Sequence, residues 1–182
     1  MKWIKNLGTF LPWLIFGISS SIFPQFAMAA GMITFLFSYS KLIKGFVLEW
    51  ISFLFFGAAT INLYIFKNSW IIQHVSILMS LVFVAVAGIS LLIRRPFTLQ
   101  YAKLQSDQQA WNHPIFYRVN QIMTGVFGII FLCTALVNIY RYFHPGVLNG
   151  WIVWIIAISI KIAFVQNFPK WYTKRNLSRR ES

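Results

Sequence analysis

The side chains able to do acid–base, nucleophilic or metal chemistry are few and scattered. The acids are Glu49, Asp107 and Glu181, the histidines His74, His113 and His144, and the one thiol is Cys133. General acid–base catalysis needs such groups within reach of one substrate. Metal sites usually set thiolates or carboxylates beside imidazole. No spacing in the chain gathers either set. There is no G-x-S-x-G, no H-E-x-x-H and no Gly-rich phosphate loop. The histidines therefore read as ordinary polar contacts, and Cys133, with no disulfide partner in the chain, as a small core residue. The sequence predicts a non-enzyme without catalytic residues, bound metal or cofactor.

Polar residues inside apolar runs carry more information, because burying them unpaired costs several kcal/mol or more. Asn62, Gln73, Asn138, Lys161 and Gln166 occupy such positions. Asn62 and Asn138 suit hydrogen bonds between helices. Lys161 is different, since a charge within a span is a functional hypothesis by default. Its alternative is to snorkel towards Lys170, about 13 Å further along a helix.

The elements that must position these residues follow from composition. Of 182 residues, 58% are hydrophobic and 10% charged, with 16 Lys+Arg against 3 Asp+Glu. Soluble domains carry roughly 25% charged residues, and disordered chains lack the apolar and aromatic content seen here. A formal net charge of +13 suggests nucleic-acid binding at first sight, yet these charges punctuate long apolar runs. The pattern is that of a polytopic membrane protein.

A spanning helix needs about 20 largely apolar residues. Spans are predicted over 47–66, 70–93, 119–140 and 147–168. Leu7–Tyr39 is uncharged for 33 residues, too long for one span, and Pro24 divides it into shorter helices over 7–22 and 26–40. The predicted fold is an all-α transmembrane bundle of about six spans, one membrane domain over 1–182. Its soluble parts are an amphipathic loop, 94–118, and a basic tail, 169–182. A cleaved signal peptide ending at Ala27-Met28-Ala29 is the alternative reading of the N-terminus. The immediate return of apolar sequence favours an uncleaved hairpin.

Cytoplasmic loops carry the excess Lys and Arg. With six spans, thirteen of the basic residues fall on the side of the two termini and two, Lys67 and Arg141, on the other, with Lys161 inside a span. Five spans would divide them eleven against four. Six spans with both termini cytoplasmic fit better. Trp3, Trp50 and Trp171 at one set of ends, and Trp70 and Trp151 at the other, match the interfacial aromatic belts. Gly125 and Gly128, and Ala27 and Gly31, are small residues that let helices approach within or between chains, so a homo-oligomer is compatible.

In the loop, Pro96 suits a first helical turn, and Phe97, Tyr101 and Leu104 form one apolar stripe. Asn112-His113-Pro114 breaks the pattern. A short helix on the cytoplasmic face is expected, either a connector or a docking surface built from Arg94, Arg95, Phe97, Tyr101 and Trp111. Lys170, Lys174, Arg175, Arg179 and Arg180 follow the last span, as a topology signal or as contacts for anionic lipid.

Several landmarks of the chain are similar to the bacterial inner-membrane septation protein A family. They are Phe10-Leu11-Pro12, Arg94-Arg95-Pro96, Trp111, Arg118-x-Asn120 and Val137-Asn138-Ile139-Tyr140. Two departures stand out. The family's Gly-Lys-Glu-Leu stretch is replaced by Phe97–Ala102, and Met123 stands where a Trp is usual. The resemblance implies a distant member, multi-pass in the bacterial inner membrane. Its role would be non-enzymatic, in envelope synthesis, elongation and septation, through contacts with other membrane proteins, and it supplies no catalytic residues.

The first expectation is accordingly a structural or interaction component whose partners are lipids and other inner-membrane proteins, not nucleic acid. A small transporter or channel subunit, with a polar pathway near Lys161, Asn62 and Asn138, is the second. An intramembrane lipid-modifying enzyme is the third, and would need acids or histidines to converge in a cleft.

Overall fold

The computed structural model describes Met32, residues 35–147 and residues 150–178. The expected span 7–22 and most of 26–40 lie outside the described residues, as do Arg179 and Arg180. All regular structure among the described residues is helical. The chain divides into two units, Met1–Val75 and Ser76–Ser182.

The first unit contains α1 (Phe35–Ile43), α2 (Val47–Tyr64) and the single turn α3 (Trp70–Gln73). Helix α1 runs past the expected end at Ser40, so Lys41 is helical. Its end is a Schellman turn. Gly45, at φ +71°, donates its N–H to the Leu42 carbonyl at 3.0 Å, and Phe46 donates to Lys41 at 3.1 Å. The left-handed position is where glycine costs least. Phe46 is buried, with Leu48, Phe56 and Ala59 of α2.

The expected span 70–93 is not one helix. It breaks at His74, between α3 and α4 (Val75–Leu92). At this point the Trp70 carbonyl takes both the His74 backbone N–H, at 3.1 Å, and the ring Nδ1–H, at 2.8 Å. The His74 ring also stacks on Trp70, with centroids 4.7 Å apart.

The second unit comprises α4, the short helix α5 (Phe97–Lys103), a 3-10 turn (Gln108–Ala110), α6 (Pro114–Phe143) and α7 (Gly150–Ser178). Helix α6 starts five residues before the expected Val119, at Pro114. The Asn112-His113-Pro114 break is in fact its start signal. His113 caps the helix by accepting the Ile115 N–H on Nδ1 at 3.2 Å, and Pro114 sits where its missing N–H costs nothing. After a turn at Gly146, φ +100°, α7 packs back along α6. It continues through Pro169 into the expected basic tail. One proline removes one hydrogen bond and kinks a helix without having to end it.

Among the described residues, three helices are long and apolar enough to cross a membrane: Val47–Tyr64, Val75–Leu92 and Pro114–Phe143. Their outward surfaces carry Leu54, Ile61, Leu81, Ile89, Ile129 and Leu136, all well exposed. A helix apolar on every side belongs in lipid. Helices then meet through small residues, because lipid removes the hydrophobic incentive to associate. Gly128 illustrates this: a Cβ built there would lie 3.2 Å from the Ala87 Cβ of α4.

Candidate functional site

The densest polar arrangement joins α4, α5 and α6. Helix α4 ends in a second Schellman turn, with Arg94 donating to Leu91 at 3.0 Å and Arg95 to Ser90 at 2.8 Å. Here the left-handed position, φ +56°, is held by Arg94, which lacks glycine's freedom. The Tyr117 hydroxyl of α6 donates to the Arg94 carbonyl at 3.0 Å. The turn drives Pro96, Phe97 and Thr98 into the interior.

Thr98 Oγ donates to the Asn120 carbonyl at 2.9 Å and lies 2.9 Å from Thr124 Oγ. A hydroxyl has one hydrogen, so Thr124 is the donor in the second bond. Asn120, 2% exposed, donates Nδ2 to the Phe116 carbonyl, whereas its buried Oδ1 has no partner. These bonds pin a seven-residue helix that could not hold its shape alone.

The expected docking residues separate accordingly. Phe97 is buried, its ring 6.2 Å from that of Phe127, so it holds α5 down rather than facing a partner. Tyr101 and Trp111 are half-buried, and Arg94 and Arg95 are exposed, as is Leu104 of the apolar stripe, which was not among the expected contacts. Trp111 donates to the Ser106 carbonyl at 3.3 Å and carries the Lys103 ammonium 5.1 Å above its ring.

A second polar cluster links α4 to the far part of α6. Asn138 Nδ2 donates to the Ser76 carbonyl and to Ser80 Oγ, each at 3.1 Å. Ser80 in turn donates to the Ser76 carbonyl at 2.8 Å. Both amide hydrogens are consumed, and Arg141 approaches the Asn138 Oδ1 at 3.5 Å. Asn138 thus acts between helices as its position suggested. Asn62, in the first unit, has a buried Oδ1 without a partner.

Lys161 is half-buried on α7, and its Nζ lies 4.7 Å from the centroid of the Phe131 ring of α6. Phe131 stacks in turn on Phe83 of α4, with centroids 4.9 Å apart. A cation–π contact contributes about 0.5–2 kcal/mol. That is less than the roughly 2.5–3.5 kcal/mol that insertion scales assign to a lysine at a membrane centre.

Because α7 runs back along α6, placing Lys161 level with Phe131 also brings Arg118 level with Lys174. Arg94, Arg95, Arg118, Lys170, Lys174 and Arg175 therefore gather at one end of the second unit. Arg175 lies 5.3 Å from the Trp171 ring. In the first unit, Lys41 Nζ is 3.8 Å from Glu49 Oε1. Burial pushes Lys41 below its ordinary value of 10.5, with Glu49 pulling it part of the way back.

No group of three His, Cys, Asp or Glu side chains that could hold a metal ion occurs among the described residues. His144 stacks on Tyr140 at 4.4 Å and donates Nδ1–H to its carbonyl at 3.2 Å, repeating the His74–Trp70 arrangement. Cys133 is exposed rather than in a core. Sequence reasoning missed Thr98, Thr124, Ser76 and Ser80. The i, i+4 serines on one face of α4 were the available signal, while nothing in the sequence marked Phe131 as the seat for Lys161.

The described residues thus form an all-helical fold with three helices suited to a membrane. Comparison with family models, curated proteins and solved structures finds no significant match.

Proposed function

We propose that the chain is a non-enzymatic, multi-pass protein of the bacterial inner membrane, in which α7 is a further span. Both termini would be cytoplasmic, on the basic side. It would serve as a structural or interaction component of the machinery for envelope elongation and septation, as the likeness to the septation protein A family implies. The carrying observation is how the polar groups of the second unit are spent. Thr98, Thr124, Asn138, Ser76 and Ser80 bond to one another and hold helices together, the use expected of a scaffold. Arg94, Arg95 and Leu104 then form the outward face of the α4–α5 turn.

Photo-crosslinkers at Arg95 and Leu104 in living cells test this reading. It expects adducts with envelope-synthesis or division proteins and a septation defect on deletion of the gene. The absence of both adducts and a defect would overturn it.

Lys161 favours a second reading, as part of a polar pathway for a small solute. In a Cys133→Ser background, cysteines along the Lys161 face of α7 would then react with aqueous thiol reagents. Protection from both sides of the membrane sinks that reading.

A further inference from the structure

Arg118 heads a line of residues along α6. Gln121, Gly125 and Leu132 follow it at i+3, i+7 and i+14, so all four share one face of the helix. Helix α4 meets the edge of this face. A Cβ built at Gly128 would lie 3.2 Å from Ala87 Cβ, so that glycine is closed, whereas one at Gly125 would approach only Leu91 Cδ1, at 4.0 Å. One turn before Leu91, Gly88 is exposed, and a Cβ there would meet nothing within 4 Å. A narrow furrow thus runs between α4 and α6, floored by Leu91 and Gly125. It opens at Gly88 and at Leu132, which is also exposed, and it leads to Arg118. Along the axis, Gly125 lies about 10 Å and Leu132 about 21 Å from Arg118. The hydrocarbon of one leaflet, about 15 Å deep, ends between them.

The charge at the head of the furrow is oriented but not neutralised. Arg118 is exposed, and its Nη1 donates to the neutral Gln121 Oε1 at 2.6 Å. Its other N–H donors keep the planar fork that matches two phosphate oxygens. Arg94, also exposed, is tied to the same level, because the hydroxyl of Tyr117 donates to its carbonyl at 3.0 Å. Neither arginine forms an ion pair with another described residue.

We infer that the furrow binds one anionic glycerophospholipid, with its phosphate on Arg118, Arg94 as the second cation at that level, and an acyl chain along Gly125. A zwitterionic headgroup brings its own cation and leaves the charge of the arginines unmatched. A protein helix would need close approach at both glycines, and Gly128 already seats Ala87. The inference rests on α4 and α6 spanning the membrane with the basic end at the headgroups, and not on a role in septation. Arg95 and Leu104 are left to the protein partner proposed above.

The test titrates the full chain in detergent with phosphatidylglycerol or phosphatidylethanolamine, read by native mass spectrometry. Expected is one retained phosphatidylglycerol per chain, with phosphatidylethanolamine about tenfold weaker. Arg118→Gln should weaken retention about tenfold, and Arg118→Lys about threefold because the fork is lost. Gly88→Leu, which fills the furrow from an open position, should also weaken it about threefold. Lys170→Gln/Lys174→Gln, at exposed positions of α7, should leave it unchanged. Phosphatidylglycerol with a photoreactive acyl chain should label Leu91 or Leu132. Equal retention of the two lipids, indifference to any of the three substitutions at Arg118 and Gly88, or an equal loss in Lys170→Gln/Lys174→Gln each overturns the proposal. So does displacement of the lipid by inorganic phosphate, a second copy of the chain retained in its place, or label on another helix. In a Cys133→Ser background, cysteines at Asn112 and Pro145, exposed just beyond the two ends of α6, separately report whether that helix spans, by reacting from opposite sides of the membrane. Reaction of both from one side refutes that underlying reading, whatever the titration shows.

Discussion

Thr98 and Thr124, on different helices and 26 residues apart, share a buried hydrogen bond of 2.9 Å. The bond ties α5 to α6 and continues through Thr98 to the Asn120 carbonyl. Valine has threonine's shape without the hydroxyl, so Thr98→Val removes a donor and leaves polar atoms in an apolar site. A loss of about 1–3 kcal/mol is expected. Because the two threonines act through one bond, Thr98→Val/Thr124→Val should cost less than the sum of the single changes. Denaturation of the purified protein in detergent gives the three values, and strict additivity would refute the coupling.

Arg94 holds a left-handed backbone position, φ +56°, that glycine occupies without strain. Arg94→Gly should therefore stabilise the second unit by about 1 kcal/mol, despite the lost side chain. Arg95→Gly, one residue on, has no such strain to relieve. A melting-temperature comparison of the pair decides it: Arg94→Gly must rise relative to Arg95→Gly.

Gly125 and Gly128 lie one turn apart but face different surroundings. A Cβ at Gly125 would approach only Leu91 Cδ1, at 4.0 Å, whereas one at Gly128 meets Ala87 Cβ at 3.2 Å. Alanine gains up to about 1 kcal/mol over glycine within a helix. Gly125→Ala keeps that gain, while Gly128→Ala spends it moving α4. Gly128→Leu should cost several times more and separate α4 from α6, seen as lost crosslinking between cysteines placed on those two helices.

Lys41 supplies the pH prediction. Its folded pKa lies below the ordinary 10.5, because burial outweighs the pull of Glu49. A base whose pKa falls on folding binds fewer protons folded than unfolded, so stability rises with pH between the two values. Below that window the cost of keeping Lys41 charged is felt in full, and by 10.5 it has gone. Thermal stability should climb as pH approaches 10.5 from below, and Lys41→Gln should flatten the climb. An identical slope in wild type and variant would assign the effect to another group.

Much of the helical layout was legible from hydropathy. The spans expected at 47–66 and 119–140 correspond to α2 and α6, because a spanning helix must be apolar over its length whatever it packs against. Boundaries were harder. Asn112-His113-Pro114 looked like a break and proved a cap, since a proline ends one helix with the same geometry that starts the next. The interruption at His74 falls inside an apolar run, and hydropathy does not register it. Phe97 looked like an exposed stripe residue, but the turn at Arg94 rotates it towards Phe127.

The sequence by itself determined the helical, membrane-suited character of the chain and the uneven placement of its charge, because both are sums over residue types along the chain. Only the tertiary structure decided what the isolated polar residues touch. Asn138 meets Ser76 and Ser80, Thr98 meets Thr124, and Lys161 meets the ring of Phe131. Hydrogen bonds and cation–π contacts act over a few ångströms, between residues brought together by the packing of one helix on another, and spacing along a single helix does not encode that distance.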